Sequence, residues 1–279
     1  MSFRYINPYT DFGFKKLFGE EANKDLLIDF LNAVLPEGTR VANLEFRNPE
    51  QLPETVTDRK AIFDIACVSD SNESFTVEMQ KAKQLYFKDR ALFYSSFPIQ
   101  RQAQKGDWNF KLDPVFLVAI LDFEYDEIEE RKKLHRLVTL KDQDGDNFSE
   151  TLKMIFLQMP LFKLTESELV TRKDKWLYFL KNLESFDDIP TIFREPIFEK
   201  AFNTAEYLMY SPAIKEAYQN DLKAYRDNRN VLETAHILGE AKGEVKRQKK
   251  DALRMKDKGY SLAEIADITE LPMEEIEKL

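Results

Sequence analysis

Two carboxylates, Asp64 and Glu78, stand inside otherwise apolar stretches of the sequence. Side chains alternate between the two faces of an extended strand, so one face of residues 62–68 carries Asp64 while the other is wholly apolar. The same alternation gives residues 75–80 one apolar face and one face with Glu78. Residues 69–74, between the two segments, are rich in Ser, Asp and Asn, a composition typical of turns. The pattern therefore predicts a hairpin with one acidic residue on each strand.

Centred near Ser71, this hairpin sets Asp64 directly opposite Glu78. The same register pairs the apolar residues Phe63 with Met79, Ile65 with Val77 and Cys67 with Phe75. Like charges facing each other across two strands cost a few tenths to about 1 kcal/mol, which a cation would offset. Mg²⁺ takes one or two carboxylates plus waters and phosphate oxygens, and it supports phosphodiester hydrolysis. The spacing fits equally well two ordinary acidic residues on the wet face of a hairpin.

The elements around the hairpin predict a mixed sheet with helices on it. Residues 11–34 carry apolar residues at helical spacing and predict one or two helices. Residues 85–104 predict another helix, which Pro98 should kink or interrupt. Residues 115–121 are a continuous apolar run, typical of a strand buried on both faces. The order helix, hairpin, helix, strand indicates an α/β fold with a mixed sheet flanked by helices.

The rest of the chain predicts a mostly helical C-terminal region, which divides the protein into three parts. We expect a core over residues 1–146, a helical region packed on it over 147–230, and a charged helix with a short tail over 231–279. The charged helix should end at Gly259, because glycine readily adopts the left-handed conformation that follows a helix.

The tail over residues 260–279 has the pattern of the first two helices of a helix-turn-helix, opened by a capping box at 261–264. A helix that contacts bases offers Arg, Lys, Asn or Gln, whereas this one presents Glu274, Glu275 and Glu277. We therefore expect the tail to serve packing or assembly, with a homo-oligomer formed through the C-terminal helices.

The charge of the chain limits how it can contact nucleic acid. A formal net charge of -9 opposes a protein that coats nucleic acid, because non-specific affinity depends on Lys and Arg neutralising phosphates. Residues 242–258 are an exception, with eight Lys or Arg against three acidic residues. This basic stretch indicates either a solvated helix face or a local nucleic-acid contact.

The sequence lacks the cysteine, glycine and histidine patterns that several other kinds of functional site require. The single Cys67 excludes an intrachain disulfide and a cysteine-rich zinc site. The 8 glycines form no phosphate-binding loop. The 2 histidines are isolated, and we expect His135 to be exposed in its charged stretch. We find neither an export leader nor an apolar run of the ~18 residues that span a bilayer, so we expect a cytoplasmic protein without membrane insertion.

Four segments resemble the recombination-promoting nuclease and transposase family of the PD-(D/E)xK type. In chain order they are DFGFKKLFG at 11–19, DRKAIFDI at 58–65, FTVEMQKAK at 75–83 and FKDRALFY at 87–94. The similarity covers residues 5–125 well and continues more loosely through the helical remainder. It implies a restriction-endonuclease-like fold and a Mg²⁺-dependent DNA endonuclease, with Mn²⁺ as a substitute.

By this resemblance, Asp64 and Glu78 ligate the metal and Gln80 completes the catalytic set. Gln80 stands where the wider superfamily usually has lysine. Lysine brings a positive charge to the transition state, whereas a neutral amide can only orient water or phosphate. An active site with glutamine at this position therefore favours an enzyme that is slow or specialised.

The resemblance leaves the roles of several neighbouring residues open. Asp11 is either a third metal-binding acid or the cap of the first helix, and we favour the cap. Asp58 is either part of the site or a turn residue before the first strand. Lys81 and Lys83 are close enough in sequence to add positive charge, although Lys81 would point to the other face of a continuing strand.

Three functional hypotheses share these residues. The first is a DNA endonuclease that promotes recombination or the movement of mobile elements. The second is a catalytically inactive member that binds nucleic acid or protein. The third is a toxin or defence nuclease that acts on DNA or RNA. The sequence does not distinguish among them, since all three keep the same pair of carboxylates.

Overall fold

The computed structural model of the chain describes residues 3–48, 50–51, 61–62, 64–126 and 128–279. Its strands are β1 (Leu44–Arg47), β2 (Glu50–Gln51), β3 (Ala61–Ile62), β4 (Ile65–Ser69), β5 (Ser74–Gln80), β6 (Val115–Leu121), β7 (His135–Lys141) and β8 (Asn147–Gln158). Its α-helices are α1 (Asp11–Phe18), α2 (Lys24–Val34), α3 (Phe87–Gln100), α4 (Arg172–Asn182), α5 (Pro196–Ala205), α6 (Pro212–Asp257), α7 (Leu262–Thr269) and α8 (Met273–Glu277). The chain forms two compact units, Met1–Leu222 and Lys223–Leu279.

Six strands form one mixed sheet in the order β1-β4-β5-β6-β8-β7. β1, β4 and β5 pair antiparallel, β5, β6 and β8 pair parallel, and β7 returns antiparallel to β8. Every residue of β6 is buried, as expected of a strand inside the sheet with both faces covered. The predicted α/β class, a mixed sheet flanked by helices with a helical C-terminal region, is confirmed. β2 and β3 form a separate two-stranded antiparallel pair.

The helical pattern expected from residue 147 onward is wrong at its start, because 147–158 form strand β8. Four of the first five residues of β8 are polar and none of the five is buried, so this part carries no clear apolar alternation. Its second half is buried by parallel pairing with β6, which is a contact between distant parts of the chain. The three-part division of the chain stays a prediction. Strand β8, which falls in the predicted helical region over 147–230, belongs to the six-stranded sheet.

A helical layer made of α1, α2, α4 and α5 packs around the fully buried Trp176. Phe18 and Phe30 place their rings 5.6 and 6.0 Å from the Trp176 ring. The carboxylate of Asp29 accepts hydrogen bonds from Trp176 Nε1 and from two nitrogens of Arg172. This carboxylate therefore joins α2 to α4 while satisfying an indole N–H that has no access to water.

We expect Asp29→Ala to lower the free energy of unfolding by about 2 to 3 kcal/mol, because it leaves the buried Trp176 N–H without its acceptor and removes one of the two carboxylates that accept from the Arg172 guanidinium. Urea denaturation followed by tryptophan fluorescence measures the change. Asp70→Ala, at an exposed turn position, is the matched control and should stay within about 0.5 kcal/mol. An Asp29→Ala loss as small as the control's would show that the network does not stabilise the helical layer.

Pro98 does not interrupt α3, which continues to Gln100. The proline lies in the last turn of the helix, where the loss of one backbone N–H affects few hydrogen bonds. Phe87, Ala91 and Ser95 form the buried face of α3. Phe87 and Ala91 belong to an apolar cluster with Leu117, Ala119, Leu121, Tyr125 and Phe156. The helix therefore lies over the sheet face to which Glu78 also belongs, since Glu78 pairs with Ala119.

The long helix α6 begins earlier than the predicted residue 231 and ends before Gly259, which has a φ of 82°. This left-handed backbone conformation favours glycine at position 259, because residues with a Cβ adopt it only with steric strain. The predicted capping box is present in α7, between Ser261 and Glu264. A small cluster formed by Ala252, Ile265, Leu271 and Ile276 packs the tail on the end of α6. None of the helices in the described ranges combines the length and apolarity needed to cross a membrane.

Candidate active site

The β4–β5 hairpin has the register that the sequence predicts. Ile65 pairs with Val77 and Cys67 pairs with Phe75. The expected pairing of Phe63 with Met79 lies outside the described residues. Asp64 immediately precedes β4, and its Oδ2 accepts a 2.8 Å hydrogen bond from the backbone N–H of Met79. This bond ties the Asp64 carboxylate to the end of β5, next to Glu78.

Glu78 is a buried carboxylate, with only 5% of its surface exposed. Its Oε2 accepts a 2.7 Å hydrogen bond from Nε2 of Gln80, the next residue on the same face of β5. Its Oε1 is buried without a hydrogen-bond partner among the described residues. Native proteins rarely leave a buried carboxylate oxygen in this state, because the desolvation cost is not offset. The side chain therefore calls for a proton or a cation.

Asp64 and Glu78 open into one cleft of about 290 Å³. The cleft is lined by Asp11, Asp64, Glu78, Met79, Gln80, Lys81, Ala82, Gln84 and Arg90. The two predicted acids thus lie on the same side of the sheet and share one opening. Their juxtaposition follows from strand alternation combined with the hairpin register.

The electrostatics of the cleft favour a cation beside these two acids. Burial, followed by the negative charge of Asp64, raises the pKa of Glu78 to about 7 against the opposing charge of Arg90. Burial also raises the pKa of Asp64, although the Met79 N–H opposes the shift. Both carboxylates hold protons more tightly than usual, which is the behaviour of a buried acid pair without a counter-charge. A bound cation would compete with those protons.

Asp11 is not the cap of α1, contrary to expectation. Thr10 is the cap, and its hydroxyl accepts a 2.9 Å hydrogen bond from the Gly13 N–H. Asp11 is the first residue of the helix and forms an ion pair with Lys81 at the cleft. The N-terminal segment therefore brings a third carboxylate to the cleft, but this carboxylate is already paired with the Lys81 ammonium group.

Lys81 was expected to point away from the site only on a continuing strand, and that condition is not met. β5 ends at Gln80, so the alternation that would have turned Lys81 to the opposite face does not continue. Lys81 lines the cleft, whereas Lys83 is exposed and is not one of the lining residues. Asp58 lies outside the described residues.

Arg90 and Gln84 are cleft residues to which the sequence pattern assigned no role. Arg90 Nη1 donates a 2.8 Å hydrogen bond to Oε1 of Gln84. Its Nε is buried without a hydrogen-bond partner among the described residues. Arg90 belongs to the segment 87–94, which carries part of the family resemblance. Membership of that segment was the one feature of the sequence that could have marked Arg90 as a site residue. Periodicity could not identify it, because the flank of α3 that faces the cleft is known only from packing.

The donor set fits a hard divalent cation held by few protein ligands. Across the described ranges, no group of three or more His, Cys, Asp or Glu residues is placed to hold a metal ion. Mg²⁺ commonly takes one or two carboxylates and keeps its waters, so the pair Asp64 and Glu78 with its unpartnered oxygen is a sufficient protein contribution.

The histidines lie away from this cleft. His135 is in β7 and is half-buried rather than exposed as expected. Burial lowers the pKa of His135, as does the charge of Lys173. His236 is exposed on α6, with Nδ1 3.3 Å from Glu240. Neither is a lining residue of the cleft.

Comparison with known proteins agrees with the resemblance carried by the four segments. No curated protein and no solved structure gives a match. A protein-family model described as "PD-(D/E)XK nuclease family transposase" matches residues 8–235, which is well over half of the chain. The matched range includes the sheet, the β4–β5 hairpin and every residue that lines the cleft. The chain therefore belongs to the PD-(D/E)XK nuclease family transposases.

Proposed function

We propose that this protein is a Mg²⁺-dependent endonuclease that hydrolyses phosphodiester bonds in DNA, with Mn²⁺ as a substitute, and that it promotes recombination. The family supports a nuclease function and the general use of divalent metals. The observation that carries the proposal is the buried, unpartnered Oε1 of Glu78 beside Asp64 in an open cleft.

In this proposal Asp64 and Glu78 hold the ion. When bound, the ion supplies charge stabilisation and lowers the pKa of water, which makes hydroxide available near neutral pH. Asp64 is oriented by the Met79 N–H, and Glu78 is oriented by the Gln80 amide. Both carboxylates are thus held in place before a substrate arrives, which reduces reorganisation during the reaction.

Gln80 is proposed to position rather than to supply charge. Its Nε2 is engaged with Glu78, and an amide oxygen can accept a hydrogen bond from a water molecule. Positive charge in the cleft comes from Lys81, which is paired with Asp11, and from Arg90. Arg90 is suited to contact a phosphate, because a guanidinium offers several donors in a planar arrangement. This distribution of charge is consistent with a slow or specialised enzyme.

A member that binds DNA without cutting it is the second candidate. Two observations favour it: Gln80 is neutral, and Asp11 is joined to Lys81 rather than to the acid pair. Both reduce the charge available for catalysis relative to a site with a lysine and a third carboxylate. A toxin or defence nuclease acting on DNA or RNA would use the same cleft.

Incubation of the purified protein with supercoiled plasmid tests the proposal. We expect nicked and linear DNA with Mg²⁺ or Mn²⁺, and loss of cleavage when EDTA removes the metal. The same reactions with a labelled RNA distinguish the two nucleic acids. DNA binding with no metal-stimulated cleavage would favour the second candidate, and cleavage of RNA alone would favour the third.

Two further features stay proposals. Val231, Leu238 and Val245 are exposed apolar residues spaced by seven along α6. Seven-residue spacing places side chains on one side of a helix and is typical of helix pairing, which supports the proposed homo-oligomer. We also retain a cytoplasmic location, which agrees with a nuclease that has its substrate in the same compartment.

A further inference from the structure

The flank of α3 next to its buried face carries arginines and aromatic side chains. Arg90, Phe93, Tyr94, Phe97 and Arg101 recur at spacings of three and four residues, which places them along one side of a helix. Arg101 directly follows the last residue of α3 and has helical backbone angles. We call these five residues the α3 flank. Arg90 shows that this side faces the candidate active site, because it lines that cleft.

A second cleft, of about 390 Å³, lies at the other end of the α3 flank. Its lining includes Arg101 from the flank, Arg47 from β1 and Thr76 from β5. Thr76 and Glu78 are two residues apart on β5, so the two clefts lie over the same face of the sheet. Arg101 lies eleven positions after Arg90, a distance of about 16 Å along a helix.

Aromatic rings occupy the α3 flank between its two arginines. The Phe93 side chain is 48% exposed, and its ring lies 5.0 Å from that of Phe97. The Arg90 guanidinium lies over the Tyr94 ring at 4.9 Å. Tyr86, at the start of the helix, is 69% exposed. A half-exposed aromatic row beside arginines differs from an ordinary solvated helix face, which carries charged and small polar residues.

The charge near the α3 flank is opposite to that of the chain as a whole. Residues 81–90 contain four cationic side chains and one carboxylate, although the chain has a formal net charge of -9. In the described part of the chain, the Arg101 side chain makes no ion pair or hydrogen bond. Its donors are therefore available to a ligand. Local positive charge with interleaved aromatics is the chemistry that contacts an unpaired nucleic-acid strand.

We propose that the α3 flank binds an unpaired nucleic-acid strand that leads away from the candidate active site. Arg90 and Arg101 contact its phosphates, and the aromatic rings between them stack on its bases. An unpaired strand fits better than a duplex, because duplex bases are already stacked on one another and hide their faces. This inference rests on the proposed nuclease function and narrows its substrate to DNA with a single-stranded segment.

Fluorescence anisotropy in EDTA tests the proposal without requiring cleavage. The full chain is titrated into a labelled single strand of DNA of about 15 nucleotides and, separately, into a DNA duplex of the same sequence. We expect the single strand to bind more tightly. Phe93→Leu and Arg101→Ala should each weaken single-strand binding about tenfold, in the range of one lost base stack or phosphate contact. Phe148→Leu and Arg131→Ala, at exposed positions outside the flank, should change it less than about twofold.

Equal binding of the single strand and the duplex would overturn the proposal. So would unchanged single-strand binding by Phe93→Leu and Arg101→Ala, provided that circular dichroism shows both variants folded. If Phe93→Leu instead dissociated an oligomer and left single-strand binding unchanged, the flank would be a protein interface and the proposal would fail. The binding assay contains no metal, so its result does not depend on cleavage. A protein that binds the single strand in EDTA but does not cut DNA with Mg²⁺ would contradict the proposed nuclease function and leave the proposal for the α3 flank standing.

Discussion

Asp64→Asn should lower the rate of Mg²⁺-dependent DNA cleavage by about a thousandfold while the protein stays folded. The substitution keeps the size of the side chain and an oxygen that can accept the Met79 N–H, so the hairpin should be preserved. It removes one of the two negative charges proposed to hold the ion. Single-turnover cleavage of a labelled DNA, with enzyme in excess, measures the effect on the chemical step.

The matched control is Asp70→Asn, in the turn of the same hairpin, where the side chain is exposed. It should cleave at the wild-type rate. Comparable cleavage by wild type and Asp64→Asn would place the activity at another site or in a contaminating nuclease. Equal losses in both variants would mean that the hairpin, rather than the carboxylate, was damaged.

Glu78→Gln should stabilise the metal-free protein by about 2 kcal/mol at pH 8 and destabilise it by about 1 kcal/mol at pH 4. Burial, reinforced by the charge of Asp64, raises the pKa of Glu78 to about 7 in the folded protein, compared with about 4.3 in an unfolded chain. The folded state therefore holds this proton more tightly. Stability is highest below the unfolded pKa, falls as the pH rises towards 7, and stays low above it.

The size of this effect follows from the pKa difference. A shift from about 4.3 to about 7 corresponds to roughly 3.7 kcal/mol at pH 8, and a buried amide without a partner costs about 1.5 kcal/mol at either pH. Urea denaturation at pH 4 and pH 8 measures both ends of the range. Glu274→Gln, at an exposed position, is the control and should show no such difference.

Mg²⁺ supplies a second check on Glu78. Added ion should stabilise the wild type at pH 8 and should stabilise Glu78→Gln much less, because the neutral amide is a poorer ligand. If Glu78→Gln were less stable than wild type at both pH values, the carboxylate would be satisfied in the folded protein. The case for a cation at Glu78 would then be lost.

The acid pair was predictable because it depends on local rules. Alternation along two short strands and the composition of the turn determine which side chains share a face, and the register of Ile65 with Val77 confirms this. The buried strand over 115–121 was predictable for a similar reason, since only a strand covered on both faces tolerates a continuous apolar run.

The roles of Asp11 and Lys81 were not predictable from spacing. Thr10 caps α1, which frees Asp11 to reach Lys81, a residue distant in sequence. Lys81 enters the cleft because β5 ends one residue before it, and strand ends are among the least certain features of a sequence pattern. Strand β8 was missed because pairing with β6, rather than its own polar first half, makes it a strand.

Residue order alone therefore established the family, the hairpin and the two carboxylates on one face, since each depends on contacts between residues close in the chain. Tertiary packing decided what surrounds them: the Arg90 side of α3, the second cleft at Arg101 and the burial that leaves Oε1 of Glu78 without a partner. The physical reason is desolvation. A carboxylate acquires a raised pKa and a need for a counter-charge only when distant segments of the chain exclude water from it.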